Sequence, residues 1–591
     1  MSYLREKTPA PAAVPGQGER VTGSEILLRM LLAEGVDCVF GYPGGAVLYI
    51  YDAMHGNPAF RHVLTRHEQG AIHAADGYAR STGKTGVCLA TSGPGATNLI
   101  TGIATAHMDS VPLVVITGNV ASNLIGTDSF QEADIVGMTQ PITKHSYFVR
   151  RVEDLARIIR EAFLLAGTGR KGPILIDIPK DVTAAVTEFV YPESIDIPGY
   201  EWANPEANPV DETKLDELID AIASSAKPLL LAGGGVIQAD GSGVLLEFIE
   251  KTRIPVTTTL MGLGSVPADH DLWLGMPGMH GTYAANRALI ECDLLIAVGA
   301  RFDDRVTMRL DGFAPHARVA HLDIDAAEIG KLVPASLPIV GDARRILERL
   351  NAKLPKPFPD QAEWIESLRK RRREFPLRYA PSTEELKPQY VIEMISRTTD
   401  GNAIVTTDVG QHQMWAAQFY RFRHPRSLVT SGGLGTMGFG FPSAIGAQIG
   451  NPGKTVVSVN GDGGMQMCAQ ELAICATHNI PVKIAVINNR TLGMIKQWQE
   501  LIYDGRYSHI DLSGSPDFVK LAEAYGVKGL RAETPSEAQR VWKEALKTPG
   551  PVLIDFVVSK NELVFPMVPQ GKALQDIILG PEGSCDRWTG N

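Results

Sequence analysis

Val456-Val457-Ser458-Val459-Asn460-Gly461-Asp462-Gly463-Gly464 is an apolar, β-type run that breaks at a glycine turn carrying one carboxylate. Further on, Ile484-Ala485-Val486-Ile487-Asn488-Asn489 is a second buried-type run, ending in a pair of amides. Between them Ala469 to Thr477 has helical character, so the unit reads strand, glycine turn, helix, strand. Both strand ends of such a unit open at the same carboxyl edge of a parallel sheet, where open α/β folds bind ligands. The residues placed there suit a hard Mg2+ ion, which takes oxygen donors and keeps a ligand phosphate: Asp462, Asn489 and a backbone carbonyl. Gly463 and Gly464 let the backbone approach the phosphates and open the following helix, whose N-terminus favours anions. A Gly-Asp-Gly alone is an ordinary turn; the amide pair at the neighbouring strand end gives it a chemical reading.

Working outward, the same punctuation recurs. From Thr22 to about Val186, Val36-Phe40 ends at Gly41-Tyr42-Pro43-Gly44-Gly45, and Gly86-Ala90 ends at Thr91-Ser92-Gly93-Pro94-Gly95. Pro112-Thr117 and Pro173-Ile178 follow as apolar strands. Strands closed by glycine turns and separated by helical lengths predict a parallel sheet with helices on both faces. After a Pro-rich stretch from Pro192 to Pro209, a second unit contains Pro228-Ala232 before Gly233-Gly234-Gly235, Asp293-Val298 before Gly299, and Arg318-Ile324. A third begins near Leu386 and holds the Asp462/Asn489 pair. The expected fold is therefore α/β, with three doubly wound parallel-sheet domains at 21–190, 205–350 and 386–560. A charged helical linker at 351–385 and tails at 1–20 and 561–591 complete the chain. The outer two domains could be related, although no sequence repeat shows it.

Length and composition agree. A chain of 591 residues is too long for one core and suggests about three or four domains. The net charge of −10 disfavours nucleic acid as a partner. Arg369-Lys370-Arg371-Arg372-Arg373, the one basic run, is flanked by Glu363, Glu366 and Glu374 and reads as a solvated helix face. Cys38, Cys88, Cys292, Cys468, Cys475 and Cys585 show no CxxC spacing; buried thiols in a reducing compartment are the reading. The first twenty residues carry no apolar core of a secretory signal. No apolar run of about 18 residues predicts a transmembrane helix. These features point to a cytoplasmic protein with no membrane partner.

Glu68 is the second acidic residue with a catalytic reading. In Thr65-Arg66-His67-Glu68-Gln69-Gly70-Ala71 it follows a strand-like Val63-Leu64 and opens an Ala-rich helix. By itself it reads as a partner of the helix dipole. The Gly-Asp-Gly and Asn-Asn segments together resemble the thiamine-diphosphate (ThDP) motif, which changes that reading. ThDP supplies carbanion chemistry once its thiazolium C2 proton leaves. The protein must then place a carboxylate at the far pyrimidine nitrogen, so that the imino tautomer can take that proton; Glu68 is the candidate.

Nearly the whole chain resembles the catalytic subunits of the acetohydroxyacid (biosynthetic acetolactate) synthase family. The matching segments include Phe40-Gly41-Tyr42-Pro43-Gly44-Gly45-Ala46, Arg66-His67-Glu68-Gln69 and Thr91-Ser92-Gly93-Pro94-Gly95-Ala96-Thr97-Asn98. Then come Gly126-Thr127-Asp128, Phe130-Gln131-Glu132, Gly278-Met279-His280-Gly281 and Arg301-Phe302-Asp303-Asp304-Arg305. Asp408-Val409-Gly410-Gln411-His412-Gln413-Met414 and Gly435-Thr436-Met437-Gly438 complete the set. The resemblance implies ThDP, Mg2+ and FAD as cofactors. It gives Mg2+ to Asp462, Asn489 and the Thr491 carbonyl. It implies that Val409, Gly410, Gln411, His412, Gly435, Met437, Gly463, Gly464 and Met494 bind ThDP, with Gln411 and His412 helping Gly463 and Gly464 hold the diphosphate. Met437 would be an apolar wedge under the bend between the rings; alone, a Met among glycines reads as a gap filler. Gly45 and Gln131 would line the reacting centre.

For FAD the resemblance implies Arg170, Gly234, Gly235, Met279, His280, Gly299, Arg301, Asp323, Ile324, Asp342 and Ala343. Physically, glycines sit beside a pyrophosphate, a strand-end carboxylate meets ribose or adenine, and Arg supplies charge. Strand-end aspartates are also common helix caps. FAD would be structural, because joining two ketoacids needs no net redox step. Arg305 and Trp498 would shape the second-substrate site, the guanidinium holding a carboxylate and the indole facing an alkyl chain. Their bland alternatives are a surface ion pair and a packing tryptophan. Phe130 and Lys180 would line the entry path, where Lys180 could equally be a solvated lysine. Asn119 (usually Gln in the family), Ala121 (often Pro) and Cys468 (often Asn) depart from the pattern. The first two put channel shape and inhibitor sensitivity in question.

The implied activity is decarboxylation of pyruvate on ThDP and condensation of the hydroxyethyl carbanion with pyruvate or 2-oxobutanoate. The products are 2-acetolactate or 2-aceto-2-hydroxybutanoate, in branched-chain amino-acid synthesis. The rivals are a ThDP/FAD pyruvate oxidase and a non-catalytic nucleotide-binding subunit. The expected assembly is a homodimer or a dimer of dimers, with a separate small regulatory subunit.

Overall fold

The computed structural model describes residues 17–59, 61–200, 202, 209–355, 361–581 and 583–584. The chain divides into two compact units, the first holding one large sheet and the second holding two. Cys585 and most of the expected N-terminal tail lie outside the described residues.

The N-terminal sheet has six parallel strands. In spatial order they are Arg61–Leu64, Cys38–Tyr42, Gly86–Ala90, Leu113–Asn119, Pro173–Pro179 and His145–Phe148. The C-terminal sheet also has six: Leu428–Thr430, Ile404–Thr407, Val456–Gly461, Lys483–Asn488, Val552–Val557 and Lys528–Ala532, again all parallel. Numbered by chain order within each sheet, both read 2-1-3-4-6-5. The two outer domains thus share a topology that their sequences do not display. The central sheet is Val256–Thr258, Pro228–Ala232, Leu294–Val298, Arg318–Asp323 and Leu337–Val340, all parallel, in the order 2-1-3-4-5. Each sheet reverses direction between its first and third strands, and ligands bind at such a switch point, outside the carboxyl ends.

The strands are apolar without alternation because both faces are covered. In Pro228–Ala232, Leu229 and Leu231 pack into one core cluster, while Leu230 and Ala232 pack into another on the opposite face. Burying each such leucine contributes about 1.5–3 kcal/mol, so a polar residue anywhere in the run is disfavoured unless it carries function or finds a partner.

Two segments expected to be connectors are packed instead. Ala362–Glu374 is a helix whose Trp364 and Leu368 join the central core, with Trp364 Nε1 donating to the Pro228 carbonyl at 3.0 Å. Its outer face carries the basic run in ion pairs, Arg371 with Glu291 at 2.8 Å and Arg373 with Glu366 at 2.7 Å. The expected C-terminal tail is also structured up to residue 581: Val568, Leu574 and Ile577 are buried in the central core, and Val564 in the C-terminal one. These apolar positions are too scattered to read as an element, so only their packing reveals them. Among the described residues no helix is long and apolar enough to cross a membrane.

Candidate functional site

The Asp462 segment differs slightly from expectation. Strand Val456–Gly461 passes directly into a five-residue helix, Asp462–Gln466, and the later helix covers Leu472–His478. Asp462 therefore begins a helix at the carboxyl edge and does not ride a turn ahead of it. Its side chain is buried; Oδ1 accepts from Gly463 N at 3.1 Å, and Oδ2 is buried with no hydrogen-bond partner. Burial pushes its carboxyl up to about 7. A buried carboxylate oxygen aimed at nothing in the chain is costly unless a cation meets it.

Asn489 ends the neighbouring strand and is buried beside it. Its Oδ1 accepts from Thr491 N at 3.2 Å, and its Nδ2 donates to Gln411 Oε1 at 3.2 Å. Thr491 is held by its hydroxyl, which donates to the Ile510 carbonyl at 2.9 Å. The preceding Asn488 turns inward, its Nδ2 donating to buried Asp555 Oδ1 at 2.9 Å. The two amides of the pair thus divide their work: one anchors the strand, one faces the edge.

Gln411 and His412 open the helix Gln411–Phe419 after the first strand of this sheet. Gln411 Nε2 donates to Gln497 Oε1 at 3.0 Å and to the Glu562 carbonyl at 3.2 Å, so the packed C-terminal segment helps orient it. His412 is buried, its Nε2 has no hydrogen-bond partner, and burial pushes it down to about 3, which keeps the ring neutral. Met437 stands between Gly435 and Gly438, both in the left-handed region at φ +71° and +85°. Its Cε lies 3.6 Å from where a Cβ on Gly463 would stand, so Met437 and the Asp462 helix are neighbours. Met494 packs on the C-terminal core, and Trp498 is half-buried on the same helix, Gly493–Ile502.

In the N-terminal unit Glu68 begins the helix Glu68–Thr82. Asn98 Nδ2 donates to Glu68 Oε2 at 2.9 Å. Asn98 lies within the Thr91–Asn98 motif, and its separation of 30 residues from Glu68 hides the pairing along the chain. Gly45 starts a short 3-10 turn, and the next residue, Ala46, donates its N–H to Thr91 Oγ1 at 3.3 Å. Gln131 has φ +61°, and its backbone lies against Gly93, where a Cβ would come within 2.8 Å of Gln131 Cα. The Gly45, Gly93 and Gln131 loops therefore share one edge of this sheet with Glu68. Phe130 is 88% exposed. Lys180 Nζ lies 5.9 Å from the Tyr49 ring centroid. The unusual Asn119 is buried, donating from Nδ2 to Asp177 Oδ2 at 2.6 Å and accepting from Val120 N at 2.7 Å. Burial pushes Asp177 up to about 7.

The central sheet gathers Gly234, Gly235, Gly299, Arg301, Asp323, Ile324, Asp342 and Ala343 at its strand ends. Two of these residues also have roles within the chain. A Cβ on Gly235 would lie 2.7 Å from Gly299 Cα, so this glycine is required by a neighbouring loop of the chain itself. Asp342 caps the helix Ala343–Lys353 by accepting from Arg345 N at 3.1 Å. Asp323 accepts from Asp325 N at 2.9 Å, and Arg301 Nε stands 3.9 Å from Asp303 Oδ2. His280 is buried with Nδ1 unpartnered and is pushed down to about 4 by burial. Met279 accepts at its carbonyl from Val568 N at 2.7 Å, which ties the C-terminal segment to this loop. Arg305 is exposed, with Nη1 3.7 Å from Met279 Sδ and Nε 3.9 Å from Asp304 Oδ2. Arg170 belongs to the N-terminal unit and donates from Nε to Ser110 Oγ at 3.0 Å.

Comparison with known proteins follows the same three-part division. The thiamine pyrophosphate enzyme families match as an N-terminal TPP binding domain at residues 21–138, a central domain at 215–350 and a C-terminal TPP binding domain at 408–556. The chain is 49% identical to the acetolactate synthase large subunit of Corynebacterium glutamicum, over 98% of this chain and 94% of that protein. It is 48% identical to the acetolactate synthase large subunit of Lactococcus lactis, over 94% and 96%. It is 46% identical to the acetolactate synthase isozyme 3 large subunit of Escherichia coli, over 95% and 99%.

Proposed function

The chain belongs to the thiamine pyrophosphate enzymes and, within them, to the acetolactate synthase large subunits, and from this premise we propose how its residues carry the reaction. It is a ThDP-dependent acetolactate synthase. It joins the two carbons left by decarboxylation of one pyruvate to a second 2-ketoacid, pyruvate or 2-oxobutanoate. The product is 2-acetolactate or 2-aceto-2-hydroxybutanoate.

Bound ThDP supplies the electron sink that decarboxylation of a 2-ketoacid needs. The observation that carries the residue assignment is the buried, unpartnered Oδ2 of Asp462 beside Asn489. An oxygen-only donor set of one carboxylate, one amide and the Thr491 carbonyl fits Mg2+ and leaves room for phosphate oxygens. Gln411 and His412, with the backbone of Val409, Gly410, Gly463 and Gly464, would hold the diphosphate. Met437, flanked by Gly435, and Met494 would support the rings of the cofactor. Glu68, oriented by Asn98, would share a proton with the far pyrimidine nitrogen. Gly45 and Gln131 border the carbon that reacts.

The strand ends of the central domain fit FAD. Asp323 faces ribose or adenine, Arg301 supplies charge, and His280 Nδ1 is a buried polar atom awaiting a partner. Ile324, Asp342 and Ala343 line the same edge, and Arg170 is a further residue proposed for FAD. Arg305 binds the carboxylate of the second ketoacid and Trp498 its alkyl chain, while Phe130 and Lys180 line the way in. The assembly is a homodimer or a dimer of dimers in the cytoplasm, associated with a small regulatory subunit. Acetolactate formation from pyruvate, measured with and without ThDP, Mg2+ and FAD, tests the reading. Peroxide in place of acetolactate would make the chain an oxidase.

A further inference from the structure

Asp408 follows the strand Ile404–Thr407 and continues its ladder, its N–H donating to the Val459 carbonyl at 2.9 Å. The residue is fully buried. Its carboxylate accepts from Val409 N at 2.8 Å, from Gly438 N at 3.1 and 2.9 Å through both oxygens, and from Gly440 N at 3.1 Å. Thr406 Oγ1 adds a bond to the Gly440 carbonyl at 2.8 Å. On its other side the carboxylate abuts the Asp462 helix, where a Cβ on Gly464 would stand 2.4 Å from Asp408 Oδ1. Three segments of the carboxyl edge therefore meet on one side chain. Met437 itself lies between two glycines at positive φ, which leaves its own loop little intrinsic stiffness.

We propose that Asp408 is a positioning residue for Met437: by clamping the Gly438 and Gly440 amides to the first strand and the Asp462 helix, it sets the height of the Met437 side chain over Gly463. This rests on the reading of Met437 as the support beneath bound ThDP. A carboxylate is needed because the hydrogen bonds it accepts come from backbone N–H groups. An amide at the same place offers one oxygen, and its NH2 then confronts at least one N–H of Val409, Gly438 or Gly440. Burial pushes the Asp408 carboxyl up to about 6, with the backbone N–H groups of Val409, Gly440 and Gly438 pulling the other way.

The test uses the full-length protein with ThDP and Mg2+, in the wild type, Asp408→Asn, Met437→Ala and the double variant. Calorimetry gives ThDP affinity, and quenched NMR gives the rate of C2 proton exchange of the bound cofactor. Asp408→Asn should slow exchange about tenfold at saturating ThDP, the effect of losing one hydrogen bond to a charged group. Met437→Ala should slow it too. The double variant should be no slower than Met437→Ala, because a displaced loop without its wedge has nothing left to misplace. Wild-type exchange in Asp408→Asn overturns the proposal, and so does a double variant slowed by the product of the single effects. If the wild type binds no ThDP, the reading beneath the proposal fails first, and the isotherm shows which failure occurred. Should Asp408→Asn not fold, amide exchange of the wild type decides. Gly438 and Gly440 must be protected like the strand Val456–Gly461; exchange at the rate of an open loop overturns the clamp.

Discussion

Gly464→Ala and Gly463→Ala look alike in sequence, yet the structure separates them sharply. A Cβ on Gly464 would stand 2.4 Å from Asp408 Oδ1 and 2.6 Å from its Cγ. Ordinary contact begins near 3.4 Å, so the carboxylate must retreat by about 1 Å. That motion stretches the bonds from Gly438 N and Gly440 N, at 2.9 and 3.1 Å, beyond hydrogen-bonding range. Bonds to a charged acceptor contribute roughly 1.5–3 kcal/mol each, so partial relaxation leaves a loss of about 3 kcal/mol. Alanine inside the helix Asp462–Gln466 returns only about 1 kcal/mol of helix propensity, so the clash wins. On Gly463 the same atom meets only Leu492 Cδ2 at 3.0 Å, Leu512 Cδ1 at 3.3 Å and Met437 Cε at 3.6 Å, all ends of side chains that can rotate. The assay is native-state amide exchange without cofactor, read on peptides covering 436–441. A net loss of about 2 kcal/mol corresponds to roughly thirtyfold faster exchange by local opening. Gly464→Ala should show it, and Gly463→Ala should stay near the wild-type rate. Equal exchange in the two variants would refute the reasoning, because it would mean the carboxylate is not a fixed obstacle.

Glu68→Gln should bind ThDP normally but slow C2 proton exchange, because an amide cannot share the pyrimidine proton; an unchanged NMR exchange rate removes Glu68 from the mechanism. Asp462→Asn should lose Mg2+-dependent ThDP binding in calorimetry, since it removes the only ionised protein ligand proposed for the metal. Mixing inactive Glu68→Ala and Asp462→Ala chains should restore part of the activity, because in the proposed homodimer some mixed pairs keep one intact site. A fully active monomer in sedimentation would contradict this. Trp498→Leu should erode the preference for 2-oxobutanoate over pyruvate, a discrimination of roughly 1–3 kcal/mol for one methylene. Arg305→Lys should weaken both reactions through loss of bidentate geometry. The product ratio in competition experiments reads both.

Apolar runs that stop at Asp462, at the Asn488-Asn489 pair, near Asp323 and at the Gly233-Gly234-Gly235 turn are local information, so these carboxyl-edge positions were legible in the chain, whereas Gln411 rested on the family resemblance. Two strand bounds read from the sequence, Gly86–Ala90 and Pro228–Ala232, coincide with those observed, while Val36–Phe40 and Pro112–Thr117 shift by one or two residues to Cys38–Tyr42 and Leu113–Asn119. Strand order was not local. The shared 2-1-3-4-6-5 arrangement of the outer domains emerges only when helices of different sequence cover both faces of each sheet. The same holds for pairings between distant positions. Asn98 reaches Glu68, Asp177 holds Asn119, and the segment through Val564, Val568 and Leu574 closes against two cores, with Val568 bonded to Met279. Asp408 is the clearest case: along the chain it resembles any strand-end aspartate, and folding alone brings Gly438, Gly440 and Gly464 to its carboxylate. Local periodicity encodes where a strand stops, while long-range packing decides which other segments meet it there.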